Sequence, residues 1–137
     1  MKLLLNILLF LIALGLVLLL LPFGILFSII RGIYRKRPSD WWRSTNKYFF
    51  IMAYSLDIYG NVMIGPLFNS ILLKYDPKYM QFGNPEETIS SCLGRNQPNN
   101  LTKLGHLVAN MLDFIDKDHC SKAAIAFINK TNNPWKK

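Results

Sequence analysis

Between Leu3 and Ile30 the chain carries no charged residue, and Arg31, Arg35, Lys36 and Arg37 close the run. Its roughly 28 residues would reach about 42 Å as a straight helix, against a bilayer hydrocarbon core of about 30 Å. A secretory signal opens in the same way, but its apolar region is usually about 7–15 residues long and leads to a small-residue cleavage site. Here the run continues through Pro22-Phe23-Gly24 into Ile25-Leu26-Phe27-Ser28-Ile29-Ile30 and ends on basic residues. An uncleaved transmembrane anchor over residues 1–30 is therefore expected. Pro22 and Gly24 give an over-long segment a place to bend or tilt.

Positive flanks stay on the cytoplasmic side of a span. Lys2 alone precedes the run, whereas Arg31, Arg35, Lys36, Arg37, Arg43 and Lys47 follow it with Asp40 as the single acid among them. The expected arrangement is a single-pass protein of the bacterial inner membrane, N-terminus outside, with a cytoplasmic C-terminal domain. Residues 31–47 read as a basic and aromatic juxtamembrane segment. Its Trp41 and Trp42 suit the headgroup layer, where an indole keeps its ring in the apolar zone and its N–H wet. Arg31, Arg35, Lys36, Arg37, Trp41, Trp42 and Arg43 are thus the expected contacts to the bilayer and its anionic headgroups. Basic residues interleaved with aromatics also suit nucleic acid, but next to an anchor the lipid reading takes precedence, and no specific nucleic-acid partner is expected.

With 137 residues and a net charge of +8, the chain has room for the anchor and one small domain, placed at 48–131, and a disordered tail at 132–137. The second apolar stretch, Tyr48 to Leu73, contains Asp57, Gly60, Asn61, Pro66 and Asn69. An aspartate inside a spanning helix costs about 2.5–3.5 kcal/mol on insertion scales, which argues against a second span. Gly60-Asn61 is a common turn pair. The stretch reads as one helix from Trp41 to about Ile58, a turn, and a second short helix from Val62 to Leu73, both on the membrane surface or covering the domain core. A re-entrant hairpin or a true second span are the alternatives.

Beyond Lys74, punctuation divides the chain into short helices. Asp76-Pro77 and Phe82-Gly83-Asn84-Pro85 read as loops. Asn84 is placed to cap a helix with Pro85 and Glu86-Glu87 in its first turn, ending at Gly94. Leu104, Leu107, Val108, Met111, Leu112 and Ile115 recur at the spacing of an amphipathic helix starting near Thr102, and this stripe is expected to face the core. Asp118 is placed to cap a last helix from His119 to about Asn129. The expected fold is all-α, an N-terminal transmembrane helix followed by a small bundle of short helices partly associated with the membrane surface.

The order of polar positions carries a resemblance. Leu56-Asp57-x-x-Gly60-Asn61, then Gly83-Asn84-Pro85-Glu86-Glu87-Thr88-Ile89-Ser90-Ser91, then Leu112-Asp113-x-Ile115-Asp116-x-x-His119-Cys120 resembles a family of small membrane proteins encoded by tailed phages and prophages. Its members are similar in an LDxxGN segment, a GxPDETISS centre and an IDPxHC-type end. Glu86 stands where that pattern more often has Asp, and Lys117-Asp118 where it often has Pro-Gly. The family carries no assigned activity, so the resemblance implies phage or prophage origin and a shared small helical fold, and no reaction.

Three constellations bear on chemistry. Asp57, Glu87 and His119 are the candidate catalytic residues, because hydrolysis needs paired carboxylates or a carboxylate with an imidazole; Asp113 and Asp116 would extend such a cluster. The competing reading makes Asn61, Thr88, Ser90, Ser91, Asp113 and Asp116 a structural polar core of caps and inter-helix hydrogen bonds. Cys92, His106, His119 and Cys120 have the donor types for zinc, but no pair has the spacing of a zinc site, so no metal and no cofactor is expected. A Cys92–Cys120 disulfide would need an oxidising compartment that the expected topology does not supply. The functional expectation is a non-enzymatic accessory inner-membrane protein acting through a protein partner during infection or lysogeny, in an oligomeric state the sequence leaves open. The alternatives are a membrane-tethered hydrolase or nuclease using Asp57, Glu87 and His119, a holin-like lysis protein, and a superinfection-exclusion protein.

Overall fold

The computed structural model describes residues 2–35, 38–74 and 81–132. Among the described residues, five helices make up an all-α protein: α1 (Lys2–Arg35), α2 (Pro38–Ile71), α3 (Ile89–Asn96), α4 (Lys103–Ile115) and α5 (His119–Thr131). The chain divides into two compact units, Met1–Ile51 and Met52–Lys137. Lys36 and Arg37 of the expected lipid contacts, the Arg35 side chain, the Asp76-Pro77 loop and the tail beyond Asn132 lie outside the described residues.

In the first unit, α1 is long and apolar enough over Lys2–Tyr34 to cross a membrane, and none of its most apolar window is buried by protein. Leucines along it are exposed on every side, as a helix solvated by lipid would be. Pro22 stands inside α1 and does not end it. Arg31, Trp42 and Arg43 are exposed, whereas Trp41 is half-buried. The two indoles lie with ring centroids 6.1 Å apart.

The second unit holds the core. Leu72, Leu73, Phe82, Cys92, Leu93, Leu101, Ala109 and Cys120 form one buried cluster, with Phe68, Ile89, Val108 and Leu112 packed against it. The end of α2 is pinned to the start of α4 by backbone bonds from Thr102 N–H to the Leu72 carbonyl and from Lys74 N–H to the Asn100 carbonyl, each 2.8 Å.

Four expectations are corrected. First, α2 runs unbroken through Gly60-Asn61 and past Pro66, so no turn divides it. A Gly-Asn pair makes a turn when the amide serves its own backbone, and here the Asn61 amide is engaged at a sequence distance of more than twenty residues. Second, Asn84 to Glu87 form a turn, and α3 begins only at Ile89, where Thr88 Oγ1 accepts the Ser91 N–H at 3.0 Å. It continues past Gly94 to Asn96, because Gly94 lies directly under the Cys120 carbonyl of α5, where a Cβ would collide. Third, Asp118 takes the left-handed conformation (φ 59°, ψ 30°) and its side chain caps nothing. The carboxylate that caps α5 comes from α4, since Asp113 Oδ1 accepts the Cys120 N–H at 2.9 Å.

Fourth, α4 is rolled about its axis. Thr102 caps it, with Oγ1 accepting the Gly105 N–H at 3.1 Å. The residues it buries, however, are Gly105 and Ala109, with Val108 and Leu112 partly covered. Gly105 approaches the Leu72 carbonyl so closely that a Cβ would overlap it, so the helix seats on its small side chains. The large ones are left outside: Leu107 is 55% exposed, Met111 60%, Phe114 92% and Ile115 81%.

Alanine at Leu101, which is fully buried, should cost about 2–5 kcal/mol. Alanine at Leu107 should change stability by no more than about 0.5 kcal/mol. Denaturant melts of the two variants in detergent check this, and equal losses would place Leu107 back in the core.

Candidate functional site

Asp57, Asn61, Gly65 and Asn69 are spaced by four along α2 and therefore follow one slanted row on its surface. The row grips the segment from Phe82 to Ser90 mostly by its backbone. Asn69 makes a two-way contact with Phe82, its Oδ1 accepting the N–H at 2.7 Å and its Nδ2 donating to the carbonyl at 3.1 Å. At Gly65 the backbones nearly touch, since a Cβ there would lie 2.9 Å from Gly83 Cα. Gly83 itself has φ of 115°, a conformation side chains rarely permit. Asn61, fully buried, accepts the Gly83 N–H at 3.0 Å and donates to the Asn84 and Glu87 carbonyls at 3.0 and 2.8 Å. Asp57 Oδ1 accepts the Ile89 N–H at 3.0 Å, and Oδ2 accepts from the Ser90 hydroxyl at 2.7 Å. That carboxylate sits at the N-terminal end of α3, where a negative charge is favoured.

Within the gripped segment, Glu87 reaches into the interior. Its side chain is wholly buried; Oε1 accepts from the Ser91 hydroxyl at 2.9 Å and Oε2 pairs with the Arg95 guanidinium. Arg95 lies with its guanidinium carbon 4.9 Å from the centroid of the Phe127 ring, joining α3 to α5. Asn96 and Asn100 complete the buried polar set: the Asn96 amide donates to the Cys92 carbonyl at 2.8 Å and accepts from Asn100 Nδ2 at 2.9 Å.

His119 belongs elsewhere. Its Nδ1 lies 3.1 Å from Asp116 Oδ2 on the surface, where Lys122 Nζ also reaches Asp116 Oδ1 at 3.1 Å. Asp116 is more than half exposed, so it is a surface ion-pair residue and not part of a polar core. Its hydrogen bonds from His119 and Lys122 lower its pKa. Asp113 is held below the usual carboxylate range chiefly by the Cys120 N–H, with Gln97 Nε2 also donating to it at 3.2 Å. Thr88, Ser90 and Ser91 are buried. Ser90 and Ser91 spend their hydroxyls on Asp57 and Glu87, and Thr88 caps α3.

Of the three candidate catalytic residues, Asp57 and Glu87 thus flank the start of α3, each with both carboxylate oxygens occupied, and His119 pairs with Asp116. No group of three His, Cys, Asp or Glu side chains placed to hold a metal occurs among the described residues. Cys92 and Cys120 are buried thiols, not joined to each other. Burial first, and then the Glu87 charge, pushes the Cys92 thiol up to about 12; burial and the nearby Asp113 do the same for Cys120. Neither serves as a thiolate nucleophile at neutral pH. Comparison with family models, with curated proteins and with solved structures gives no match.

Asn69, Arg95, Asn96 and Asn100 are polar residues of the site that reading by motif passes over. For Asn69 a signal exists, its spacing of four and eight from Gly65 and Asn61. Arg95 offers none, because a lone arginine after a glycine reads as a helix end.

Asn61→Ala strands one buried N–H and two carbonyls, and should destabilise by about 3 kcal/mol or more, measured by thermal or denaturant unfolding. Asp113 has a depressed folded pKa, so its stabilisation is complete above the unfolded carboxylate range near about pH 4 and is lost as pH falls through the folded value. Asp113→Asn should flatten the acid side of the stability profile. A wild-type slope retained in the variant would mean that another carboxylate carries it.

Proposed function

We propose that this chain is a non-enzymatic accessory protein of the bacterial inner membrane, encoded by a phage or prophage, that acts by binding a partner protein. The observation that carries the non-enzymatic reading is the occupancy of the polar set. A general base has to reach substrate, whereas the Glu87 side chain is wholly buried and all three groups are hydrogen-bonded within the fold. Asp57 spends both oxygens on Ile89 and Ser90, Glu87 spends both on Ser91 and Arg95, and His119 is engaged with Asp116. Membrane placement is supported by α1 and by the basic excess after it, which favours a cytoplasmic C-terminus. Phage origin is supported by the resemblance of Leu56–Cys120 alone.

The partner surface is the outer face of α4. Leu104, Leu107, Met111 and Phe114 are exposed at alternating spacings of three and four, the pattern of a seam that receives another helix. The occupant is a partner's helix with a matching apolar stripe, since helix-spaced apolar knobs fill the holes of a helix better than those of a flat surface.

Leu107→Glu with Met111→Glu should leave the domain folded and abolish function in an infection or lysogeny assay, because the charge falls on the seam and outside the core. Glu87→Gln should lower function only as far as it lowers stability and abundance. A folded, normally abundant Glu87→Gln protein without function would overturn the reading in favour of a membrane-tethered hydrolase or nuclease. A C-terminal reporter active only in the periplasm would overturn the topology.

A further inference from the structure

Within the first unit, α1 and the early turns of α2 enclose a cleft of about 350 Å³, lined chiefly by Ser28, Arg31, Gly32, Ser44, Thr45 and Tyr48. Among the described residues its polar side chains are hydroxyls and one guanidinium, with no carboxylate or amide. Hydroxyls donate to phosphate oxygens, and the guanidinium fork pairs with them through two parallel bonds. Arg31 forms no ion pair among the described residues, and the only acid in the first fifty or so residues, Asp40, is not in the cleft lining. Among the described residues, then, the charge in the cleft is positive with no acid beside it.

The depth of the cleft along α1 narrows the ligand further. Ser28 is inside the apolar run and Arg31 is the first charge beyond it, so the cleft opens where the hydrocarbon ends and lipid phosphates begin. Arg31 also borders a second hollow, lined by Phe27, Ile30 and Tyr34, which is apolar. Arg31 thus borders both a cleft that carries hydroxyls and a hollow that is almost wholly apolar, the order of groups that a phosphodiester with its acyl chain presents. The Trp41 indole lies against Gly32, where any Cβ would collide with it, and so fixes the approach of the two helices that shape the cleft.

We propose that this cleft binds the phosphodiester of an anionic phospholipid, with Arg31 and the Thr45 and Tyr48 hydroxyls on the phosphate and an acyl chain along Phe27 and Ile30. The site rests on α1 spanning the bilayer, as argued above. The positive charge makes phosphatidylglycerol a better ligand than phosphatidylcholine, whose choline cation it repels.

Native mass spectrometry of the full chain, purified in mild detergent and given palmitoyl-oleoyl phosphatidylglycerol, the matching phosphatidylcholine, or inorganic phosphate, tests it. The wild type should retain one phosphatidylglycerol and about tenfold less phosphatidylcholine. Arg31→Gln should lose about tenfold in retention, and Thr45→Val and Tyr48→Phe, which leave charge and shape nearly intact, about threefold each. Unchanged retention in Arg31→Gln overturns the site. A loss confined to Arg31→Gln overturns it too, since diffuse attraction to a basic surface ignores a hydroxyl. Displacement of the lipid by millimolar inorganic phosphate assigns the cleft to a soluble phosphate and overturns the lipid. Alkaline carbonate washing of membranes is the separate test of the anchor: wild-type protein that washes off overturns the span itself, whereas protein that stays while Arg31→Gln keeps its lipid overturns the cleft alone.

Discussion

The second unit depends on one interaction, the row of side chains on α2 that holds the backbone from Phe82 to Ile89. A segment without regular structure carries donors and acceptors that no neighbour satisfies, and placing it against a core is unfavourable unless each finds a partner. Asn69, Asn61 and Asp57 supply these partners in sequence, acting as the neighbouring strand would in a sheet. With the segment fixed, Phe82 packs edge-on against Phe68, ring centroids 5.4 Å apart, and Glu87 is delivered to the interior. The start of α3 takes its position from that docking, while the start of α4 is fixed separately by its backbone bonds to the end of α2.

The remaining helices are joined by small residues and borrowed charges. Gly94 brings α3 under α5, Gly105 and Ala109 seat α4, and Asp113 reaches from α4 to cap α5. The Glu87–Arg95 pair locks α3 to α5 through Phe127. A buried ion pair seldom outperforms apolar packing in net stability, because desolvation offsets much of its attraction. In this structure the guanidinium meets both the carboxylate just before α3 and the Phe127 ring of α5. The same reliance on small contacts explains the exposed stripe of α4. With Gly105 and Ala109 seated against Leu72 and the core, Leu104, Leu107 and Met111 fall on the outer side of α4.

Features that act locally were legible from residue order. The apolar run of α1, the start of α4 near Thr102 and the stop-and-start of short helices beyond Lys74 follow from hydropathy, apolar periodicity and Gly/Pro punctuation, which depend on near neighbours. The errors share a cause, a residue whose partner is remote. Gly60-Asn61 reads as a turn because its true partners are Gly83, Asn84 and Glu87; Asp118 reads as a cap because the real one is Asp113; and the α4 stripe reads as core because the roll is set by Leu72 and Leu101 against Gly105. Likewise Asp57 and Glu87 could be singled out by type, but whether their oxygens were available could only be seen once the atoms that occupy them were in place.

The grip of α2 is made by side chains on one partner and mainly by main chain on the other. Apart from Gly83, where the backbone conformation disfavours a side chain, and Asn84, whose Oδ1 accepts the Glu86 N–H at 3.0 Å, the turn is held through the Asn84 carbonyl, which nearly any amino acid would present equally well. Tolerance to substitution should therefore be lopsided across a single contact. The helix row is a lock whose own residues are irreplaceable, while the exposed turn it holds, at Pro85 and Glu86 above all, is open ground on which loops of other composition could be grafted without disturbing what lies beneath.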